Sequence, residues 1–325
     1  MKKFWLILAA LVVAICCGVM YYLASTLLEV AVHPEDQQRY MEEACLEQVF
    51  ERYPEMRMWH DTLQQHGNWR DTVLTDSRGL RHHGIIISHD SCATGSTVIL
   101  HGYNDNAMRM SRYAYLHYEE LGRNVIVPDH YGHGQSDGDH IRFAWLDRLD
   151  IHDLWLPLAH QLWPDMNMVL HGLSMGGAMT MFTAGTDIAD SLRLTGFIED
   201  CGYTSTWDEL KYQLKHDYGF GPVPLLYIAD WLCFWKYGWS FKDGDVRSTL
   251  ANCTRPMLFI HGAEDTYVPT EMVQVCYDAK KQGYKELWVT EGSDHAQSIH
   301  EHWDEYVQRC REYIDRIDEM SKQAR

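Results

Sequence analysis

The sequence predicts an α/β protein in which helices cover both faces of a mostly parallel β-sheet. Short apolar segments that are typical of strands, such as Thr97–His101 and Met168–Leu170, alternate along the chain with longer segments that favour helices. Strands that are buried on both faces of a sheet show continuous apolar runs of this kind. Polar motifs that contain glycine follow directly after several of these strands. Open α/β sheets carry their functional groups at the carboxyl ends of the strands, so the motifs favour the same fold class.

The predicted elements begin with a β-hairpin. The segments 71–76 and 80–88 flank the turn Ser77–Gly79, as the two strands of a hairpin would. Further strands are expected at 97–101, 124–128, 168–170, 194–200, 257–261 and 286–289. Helices are expected at about 108–121, 145–162, 178–184 and 302–320. Because helices separate most of these strands, the strands after the hairpin are expected to run parallel.

The N-terminal segment predicts a membrane anchor. Lys2 and Lys3 precede the apolar stretch Phe4–Ala24, whose length matches the roughly 20 residues that a membrane-spanning helix needs. No Ala-x-Ala cleavage site follows the stretch, which favours an uncleaved signal-anchor over a secretory signal peptide. A lipoprotein modified at Cys16 or Cys17 is disfavoured because the apolar run continues beyond both cysteines. The lysines are expected to stay in the cytoplasm, which places the rest of the single-pass chain on the extracytoplasmic (periplasmic) side.

Changes in composition along the chain predict three regions. Residues 1–30 form the signal-anchor, residues 31–68 a stalk or leading helix, and residues 69–325 the α/β domain, with a cap at about 206–250. The cap is inferred from the unusually long aromatic-rich span between the strands that end at Asp200 and begin at Met257. It is expected to line an apolar substrate pocket, and the alternative is a pair of helices packed as ordinary core. The predicted pocket residues are Tyr103, Tyr203, Trp207 and Trp231.

Composition excludes several classes of function. The formal net charge of -18 leaves no basic stripe that could neutralise phosphates, which argues against a nucleic-acid partner. The nine cysteines include no C-x-x-C pair, so neither a disulfide framework nor a zinc site is predicted. The 19 histidines form no H-E-x-x-H motif, and no matched carboxylate cluster accompanies them. The expected site therefore contains no metal and no cofactor.

The chemistry is expected at Gly172–Gly176, a G-x-S-x-G motif that follows a predicted strand and precedes a predicted helix. This arrangement places Ser174 at a sharp turn, at the N-terminus of a helix that favours developing negative charge. Alone the motif is weak, since a chain of this length matches it by chance about one time in ten. It needs a base and an acid elsewhere in the chain.

Candidates for both groups follow two later strands. His295 comes after the last predicted strand, and Asp265 comes after the strand before it. The chain order is then serine, aspartate, histidine, which differs from the orders in trypsin and subtilisin. The alternatives for the acid are Glu264 and Asp200. The alternatives for the base are His300 and His302.

These motifs together resemble the α/β-hydrolases from about residue 69 to the C-terminus. The matching segments are His101–Tyr103, Gly132–Ser136, Gly172–Gly176, His261–Pro269 and His295. More narrowly, the chain is similar to membrane-anchored bacterial serine hydrolases of the serine aminopeptidase and monoglyceride-lipase-like grouping.

The resemblance implies an α/β-hydrolase fold with a cap and a role for each matching residue. Ser174 is the expected nucleophile, His295 the base and Asp265 the acid that orients it. The backbone N–H groups of Tyr103 and Met175 are the expected oxyanion hole. His101 and His133 are expected to fix loops through hydrogen bonds.

The expected function is hydrolysis of a small-molecule carboxylic ester, with an acyl or aryl group, through an acyl-enzyme intermediate. One alternative is an amidase or aminopeptidase on the same three residues. An aminopeptidase would need an acidic side chain for the substrate amine, for which the cap offers Asp208, Glu209 and Asp230. The third hypothesis is a membrane-tethered binding module without catalysis. It is disfavoured because a binding protein has no need of all three catalytic residues.

Overall fold

The structure, a computed structural model, describes residues 1–33, 42–89 and 92–323. The chain divides into two compact units. The larger unit contains Asp36–Thr204 and Asp245–Arg325, and the smaller unit contains Met1–Glu35 and Ser205–Gly244. The predicted division at about residues 30 and 68 stays a prediction, and its stretch 34–41 lies outside the described residues.

The larger unit is built on one eight-stranded sheet with the order β1-β2-β4-β3-β5-β6-β7-β8. β2 runs antiparallel to both β1 and β4, and all other neighbouring pairs are parallel. This sheet confirms the predicted fold class, including the hairpin. The strands are β1 (Trp69–Thr75), β2 (Arg81–Ile87), β3 (Gly95–Leu100), β4 (Arg123–Pro128), β5 (Met168–Leu173), β6 (Leu194–Asp200), β7 (Met257–Gly262) and β8 (Lys285–Thr290).

Helices of the larger unit precede β1, connect later strands and follow β8. They are α2 (Glu42–Arg52), α3 (Glu55–His66), α4 (Ser111–Tyr115), α5 (Asp147–Asp150), α6 (Leu156–Leu162), α7 (Met175–Ala184), α10 (Val246–Leu250), α11 (Glu271–Ala279), α12 (Ser298–Glu301) and α13 (Trp303–Gln323). π-Helical turns extend α4 to Glu120 and join α5 to α6. α11 has no counterpart among the predicted helices.

The predicted leading segment contains two helices that pack into the hydrophobic core of the larger unit. α2 contributes Cys45 and Phe50, and α3 contributes Met56, Trp59 and Leu63. The Trp59 ring meets Trp69 at the start of β1 edge to face, with 5.8 Å between the ring centroids. Because all five side chains are at least nine-tenths buried, α2 and α3 are part of the folded unit.

The smaller unit consists of the N-terminal helix and two helices of the predicted cap. These are α1 (Lys2–Val32), α8 (Thr206–Tyr218) and α9 (Leu225–Tyr237). By length and composition α1 is able to cross a membrane. Its side chains are exposed over most of the apolar stretch, and the buried ones are Ala24, Leu28 and Val32, each four residues apart. This spacing presents one face of the last turns of α1 to a partner within the unit.

Candidate active site

Ser174 lies between the end of β5 and the start of α7 in a strained backbone conformation, with φ 55° and ψ -115°. A positive φ is costly for a residue with a side chain, so the surrounding packing must hold it. The Ser174 N–H donates to the carbonyl of Asp200 at 2.7 Å, and its own carbonyl accepts from the Ala178 N–H at 2.9 Å. The Ser174 side chain is 7% exposed. These contacts form the sharp turn that the motif predicts.

The two glycines of the motif allow this turn because the backbone passes too close for side chains. A Cβ atom on Gly172 would lie 2.0 Å from the Gly176 carbonyl oxygen. A Cβ atom on Gly176 would lie 2.2 Å from the Leu100 carbonyl oxygen. Both distances are far inside van der Waals contact. Helix α7 also begins at Met175, three residues earlier than predicted, because this close packing outweighs the low helix propensity of glycine.

Replacing Gly176 by alanine is expected to lower the free energy of unfolding by about 3 kcal/mol, because α7 must move away from the end of β3. Thermal unfolding of the full chain in detergent micelles measures the effect. Gly221→Ala is the matched control, since no atom lies within 4 Å of the added methyl group. Equal stability of the two variants would contradict the close approach of α7 and β3.

A loop after β3 lies beside the serine. A Cβ atom on Gly102 would be 3.5 Å from the Ser174 Cβ. His101 holds this loop: its Nδ1 donates to the Gly102 carbonyl at 2.8 Å, and its Nε2 accepts from the His130 N–H at 3.0 Å. Burial, together with His130 and His133, holds the pKa of His101 well below its usual range. The neutral His101 ring therefore fixes the loop that carries Tyr103.

His295 contacts the serine. Its Nε2 lies 2.9 Å from the Ser174 Oγ, and its Nδ1 lies 2.7 Å from the Asp265 Oδ2. An ionised carboxylate only accepts hydrogen bonds, so Nδ1 carries the proton and Nε2 is left to accept from the serine hydroxyl. The structure thus brings Ser174, His295 and Asp265 together in one hydrogen-bonded chain.

Asp265 is held as a carboxylate. Burial alone would raise its pKa, but hydrogen bonds from His261 and His295 outweigh burial and lower the pKa to about 2. Its second oxygen, Oδ1, accepts from the N–H groups of Tyr267 at 3.0 Å and Val268 at 2.8 Å. These two bonds fix the rotation of the carboxylate and direct Oδ2 towards the imidazole.

His261 contacts Asp265, and this contact was not predicted from the sequence. Its Nε2 lies 2.9 Å from the Val268 carbonyl and 3.2 Å from the Asp265 Oδ2. The carbonyl can only accept, so Nε2 carries a proton and points it at both oxygens. His261 ends β7 four residues before Asp265, and that spacing is the one signal in the sequence. The acid therefore receives hydrogen bonds from two imidazoles.

The alternative residues have other partners. Asp200 is fully buried, and its Oδ2 accepts from the hydroxyls of Tyr306 at 2.9 Å and Tyr113 at 3.2 Å. His300 bonds to the Tyr53 hydroxyl, and burial lowers its pKa to about 3. His302 donates to the Glu291 carbonyl at 3.0 Å. The Glu264 side chain is exposed.

The four predicted pocket residues fall into the two units. In the larger unit, the Tyr103 ring stacks on Phe143 with 5.5 Å between centroids, and the Tyr203 hydroxyl donates to the Phe143 carbonyl at 3.0 Å. In the smaller unit, Trp207 packs on Tyr227, and Trp231 is 56% exposed. Their role in a substrate pocket stays a prediction.

Two groups of potential metal ligands occur in the part of the chain that the structure describes. One combines Cys201 with Asp265 and His295, and the other combines Asp76, His82 and Asp150. Burial holds the pKa of the Cys201 thiol well above its usual range, which disfavours the thiolate that a metal would need. In the second group, Asp76 and Asp150 are both paired with Arg78.

The buried side chain of Glu199, near the site, is expected to make the stability of the protein depend on pH. Burial raises the pKa of Glu199, at the end of β6, to about 8, well above the value of an unfolded chain. The folded state therefore binds a proton that the unfolded state releases, and the resulting stability is lost as the pH rises through about 8. Glu199→Gln keeps an acceptor for the Gly202 N–H, which lies 3.0 Å from Oε2. We expect this variant to be about 5 kcal/mol more stable than wild type at pH 9 and little changed at pH 4.

Thermal unfolding at both pH values measures this difference. Glu264→Gln, which changes an exposed side chain, is the control, and substitutions at such surfaces usually change stability by less than about 0.5 kcal/mol. A gain for Glu199→Gln that is equal at both pH values would contradict the proton uptake.

Comparison with known proteins agrees with this architecture. A family described as serine aminopeptidase, S33, matches residues 91–198. The esterase Pf2001 of Pyrococcus furiosus superposes with a TM-score of 0.61 at 22% identity, over 76% of this chain and 92% of its own. The chain therefore has the α/β-hydrolase fold.

Two further proteins are similar to this chain, one in structure and one in sequence. The α/β hydrolase GrgF of Penicillium sp. sh18 superposes with a TM-score of 0.58 at 18% identity, over 76% of this chain and 98% of its own. The uncharacterized protein YqkD of Bacillus subtilis (strain 168) is 27% identical over 81% of this chain and 85% of its own length. Together the comparisons support a hydrolase of the α/β-hydrolase fold.

Proposed function

We propose that the protein is a serine hydrolase that cleaves carboxylic esters through an acyl-enzyme intermediate. The observation that carries the proposal is the chain of hydrogen bonds from the Ser174 Oγ to the His295 Nε2 and from the His295 Nδ1 to the Asp265 Oδ2. A nucleophile, a base and an orienting acid in this order are the parts that covalent acyl transfer requires.

In the proposed first step, the Ser174 Oγ attacks the ester carbonyl carbon. His295 Nε2 takes the hydroxyl proton, and the ionised Asp265 stabilises the imidazolium that results. The carbonyl oxygen becomes an anion, which the N–H groups of Met175 and Tyr103 are proposed to bind. The position of Met175 supports this role, because it is the first residue of α7 and helix N-termini favour negative charge.

The second half of the reaction reverses these proton transfers. The imidazolium gives its proton to the departing alcohol oxygen as the carbon–oxygen bond breaks, leaving the acyl group on Ser174. Water then attacks the acyl carbon while His295 takes a proton from it. Collapse of the second tetrahedral intermediate releases the carboxylic acid and restores the serine hydroxyl.

An amidase or aminopeptidase is the second candidate, favoured by the match of residues 91–198 to the serine aminopeptidase family. One of its expected amine receptors is already engaged. Asp230 accepts from the Ser240 hydroxyl at 2.7 Å and pairs with Lys242 at 3.1 Å. These contacts make Asp230 a poor receptor for a substrate amine.

A fluorophosphonate probe tests the proposal. The full chain in detergent micelles is expected to be labelled covalently at Ser174, and no labelling would overturn both enzyme hypotheses in favour of a binding module. If the probe labels Ser174, unlabelled protein is then tested against p-nitrophenyl esters of graded chain length and against aminoacyl-anilides. Turnover of the esters supports the ester hydrolase, and faster turnover of the anilides would replace it with the aminopeptidase.

We also propose that α1 anchors the protein in the cytoplasmic membrane, with the remainder of the chain on the outer side. Lys2 and Lys3 favour this orientation because lysines flanking a spanning helix stay in the cytoplasm. Protease added to spheroplasts is expected to digest the α/β domain without lysis. Digestion that requires lysis of the membrane would reverse the orientation.

A further inference from the structure

One face of helix α9 is apolar and exposed. Tyr227, Trp231, Phe234 and Trp235 are between 49% and 70% exposed, although three of the four are among the most apolar side chains. They are spaced four, three and one residues apart, which places all four within an arc of about 100° on a helix. The segment just before α9 continues the surface with Val223 at 72% exposure.

The opposite face of α9 already has a partner. Leu226, Ala229 and Cys233 are at most 1% exposed. A helix that is apolar on all sides is usually surrounded by protein or lies in a membrane. Monomeric soluble proteins rarely leave a large apolar patch of this kind without a function. The exposed aromatic face therefore needs an occupant.

The packing of α9 on α1 indicates what that occupant is. Leu232 and Trp235 line a groove of about 350 Å³ together with Tyr21, Ser25 and Leu28 of α1. Lys236 and Glu29 also line the groove and pair with each other, and the Tyr237 ring centroid lies 6.2 Å from that of His33. All of these contacts are within the smaller unit, so α9 is fixed along the last turns of α1.

The length of α1 places those turns at the edge of a bilayer. Its 31 residues span about 46 Å, whereas the hydrocarbon layer is about 30 Å thick. The apolar stretch Phe4–Ala24 fills that layer, so the segment from Ser25 to Val32 projects beyond it. Tyr21 and Trp235 share the groove at the boundary, where tryptophan and tyrosine are enriched in membrane proteins.

We propose that the exposed aromatic face of α9, formed by Tyr227, Trp231, Phe234 and Trp235, lies in the interfacial layer of the same bilayer that α1 crosses. The inference rests on the proposed anchor and goes beyond it. It makes the cap helix a second membrane contact, which lies on the bilayer without spanning it.

Charge indicates that this contact is hydrophobic. The segment Ser205–Gly244 carries five acidic and four basic side chains, whereas the whole chain has a formal net charge of -18. Two of the basic groups are engaged, Lys236 with Glu29 and Lys242 with Asp230. Attraction to anionic headgroups is therefore weak, and we expect docking on neutral phosphatidylcholine as well as on anionic lipid.

Quenching of tryptophan fluorescence by brominated lipid tests the proposal. The full chain is reconstituted in phosphatidylcholine vesicles whose lipids carry bromine near the headgroup end of the acyl chain. Trp231→Phe/Trp235→Phe keeps the surface apolar and removes two of the twelve tryptophans. Bromolipid lowers the fluorescence of tryptophans that lie in the bilayer. Apart from the contribution of Trp5 in α1, most of this decrease is expected to disappear in the double variant. Trp163→Phe, in the larger unit, is the matched control and is expected to lose none of it.

Trp5 lies in the apolar stretch of α1, so its quenching reports on the anchor independently of α9. If Trp5→Phe reduces the quenching and the double variant does not, the anchor holds and the docking of α9 is wrong. If Trp5→Phe has no effect, the anchor itself fails. A second copy of the chain is the remaining occupant. Two results together would show that a second copy, and not the bilayer, covers this face. The protein would be a dimer in detergent that Trp235→Asp dissociates, and the tryptophans of α9 would not be quenched in vesicles.

Discussion

Replacing Ser174 by alanine is expected to lower kcat for ester hydrolysis by about 10⁶-fold and to abolish labelling by a fluorophosphonate. The size follows from removing a nucleophile that acts together with its base, because His295 alone has no acyl acceptor. The change removes one oxygen from a residue that is 7% exposed. Alanine keeps the Cβ atom, so the strained backbone conformation is expected to stay the same. Burst kinetics with a p-nitrophenyl ester measure both the acylation step and turnover.

The control for this variant is Ser248→Ala. The Ser248 hydroxyl is exposed and donates to the Asp245 carbonyl at 2.8 Å. We expect labelling and turnover of the control to match wild type. Activity of Ser174→Ala within about tenfold of wild type would mean that another group attacks the substrate, because such a loss corresponds to only about 1.4 kcal/mol of activation free energy.

Asp265→Asn is expected to lower kcat by about 10⁴-fold, as loss of the acid does in other triads. The structure gives a reason in this chain. The N–H groups of Tyr267 and Val268 both donate to the Oδ1 position, so the amide oxygen of the asparagine must occupy that position. Its NH₂ group then faces His295 Nδ1, which has to accept the hydrogen bond. The proton of the imidazole moves to Nε2, where it prevents the ring from taking the serine proton.

The two alternative acids provide the comparison for this experiment. Glu264→Gln changes an exposed side chain and is expected to retain full turnover. Asp200→Asn replaces a buried carboxyl that is bonded to Tyr306 and Tyr113, so its effect is expected mainly in thermal stability. Michaelis–Menten kinetics of the three variants decide among them. A larger loss of kcat in Glu264→Gln than in Asp265→Asn would assign the acid role to Glu264.

Much of the fold could be predicted from local patterns. β6 begins and ends where the sequence predicts, at Leu194 and Asp200, because Leu194, Phe197 and Ile198 form a short apolar segment between polar ones. The turn at Ser174 could be predicted because the glycines on either side restrict the backbone to few solutions. The proximity of Asp265 and His295 followed from placing each at the end of its own parallel strand.

Other features depend on contacts between distant residues and leave little local signal. The contact of His261 with Asp265 requires the loop after β7 to turn back, so that the Val268 carbonyl meets the imidazole. The pairing of Lys236 with Glu29 joins side chains 207 positions apart. Helix α11 was missed although its buried residues, Val273 and Cys276, have a helical spacing of three.

The burial of α2 and α3 in the larger unit has a practical consequence for any soluble version of the protein. Cutting the chain at residue 69, where the resemblance to α/β-hydrolases begins, would strip Met56, Trp59 and Leu63 from the hydrophobic core. Each lost side chain of this size costs about 2–5 kcal/mol, so the three together cost about as much as the whole stability of an ordinary domain. A secreted version that is meant to stay folded should therefore retain Glu42 and everything after it.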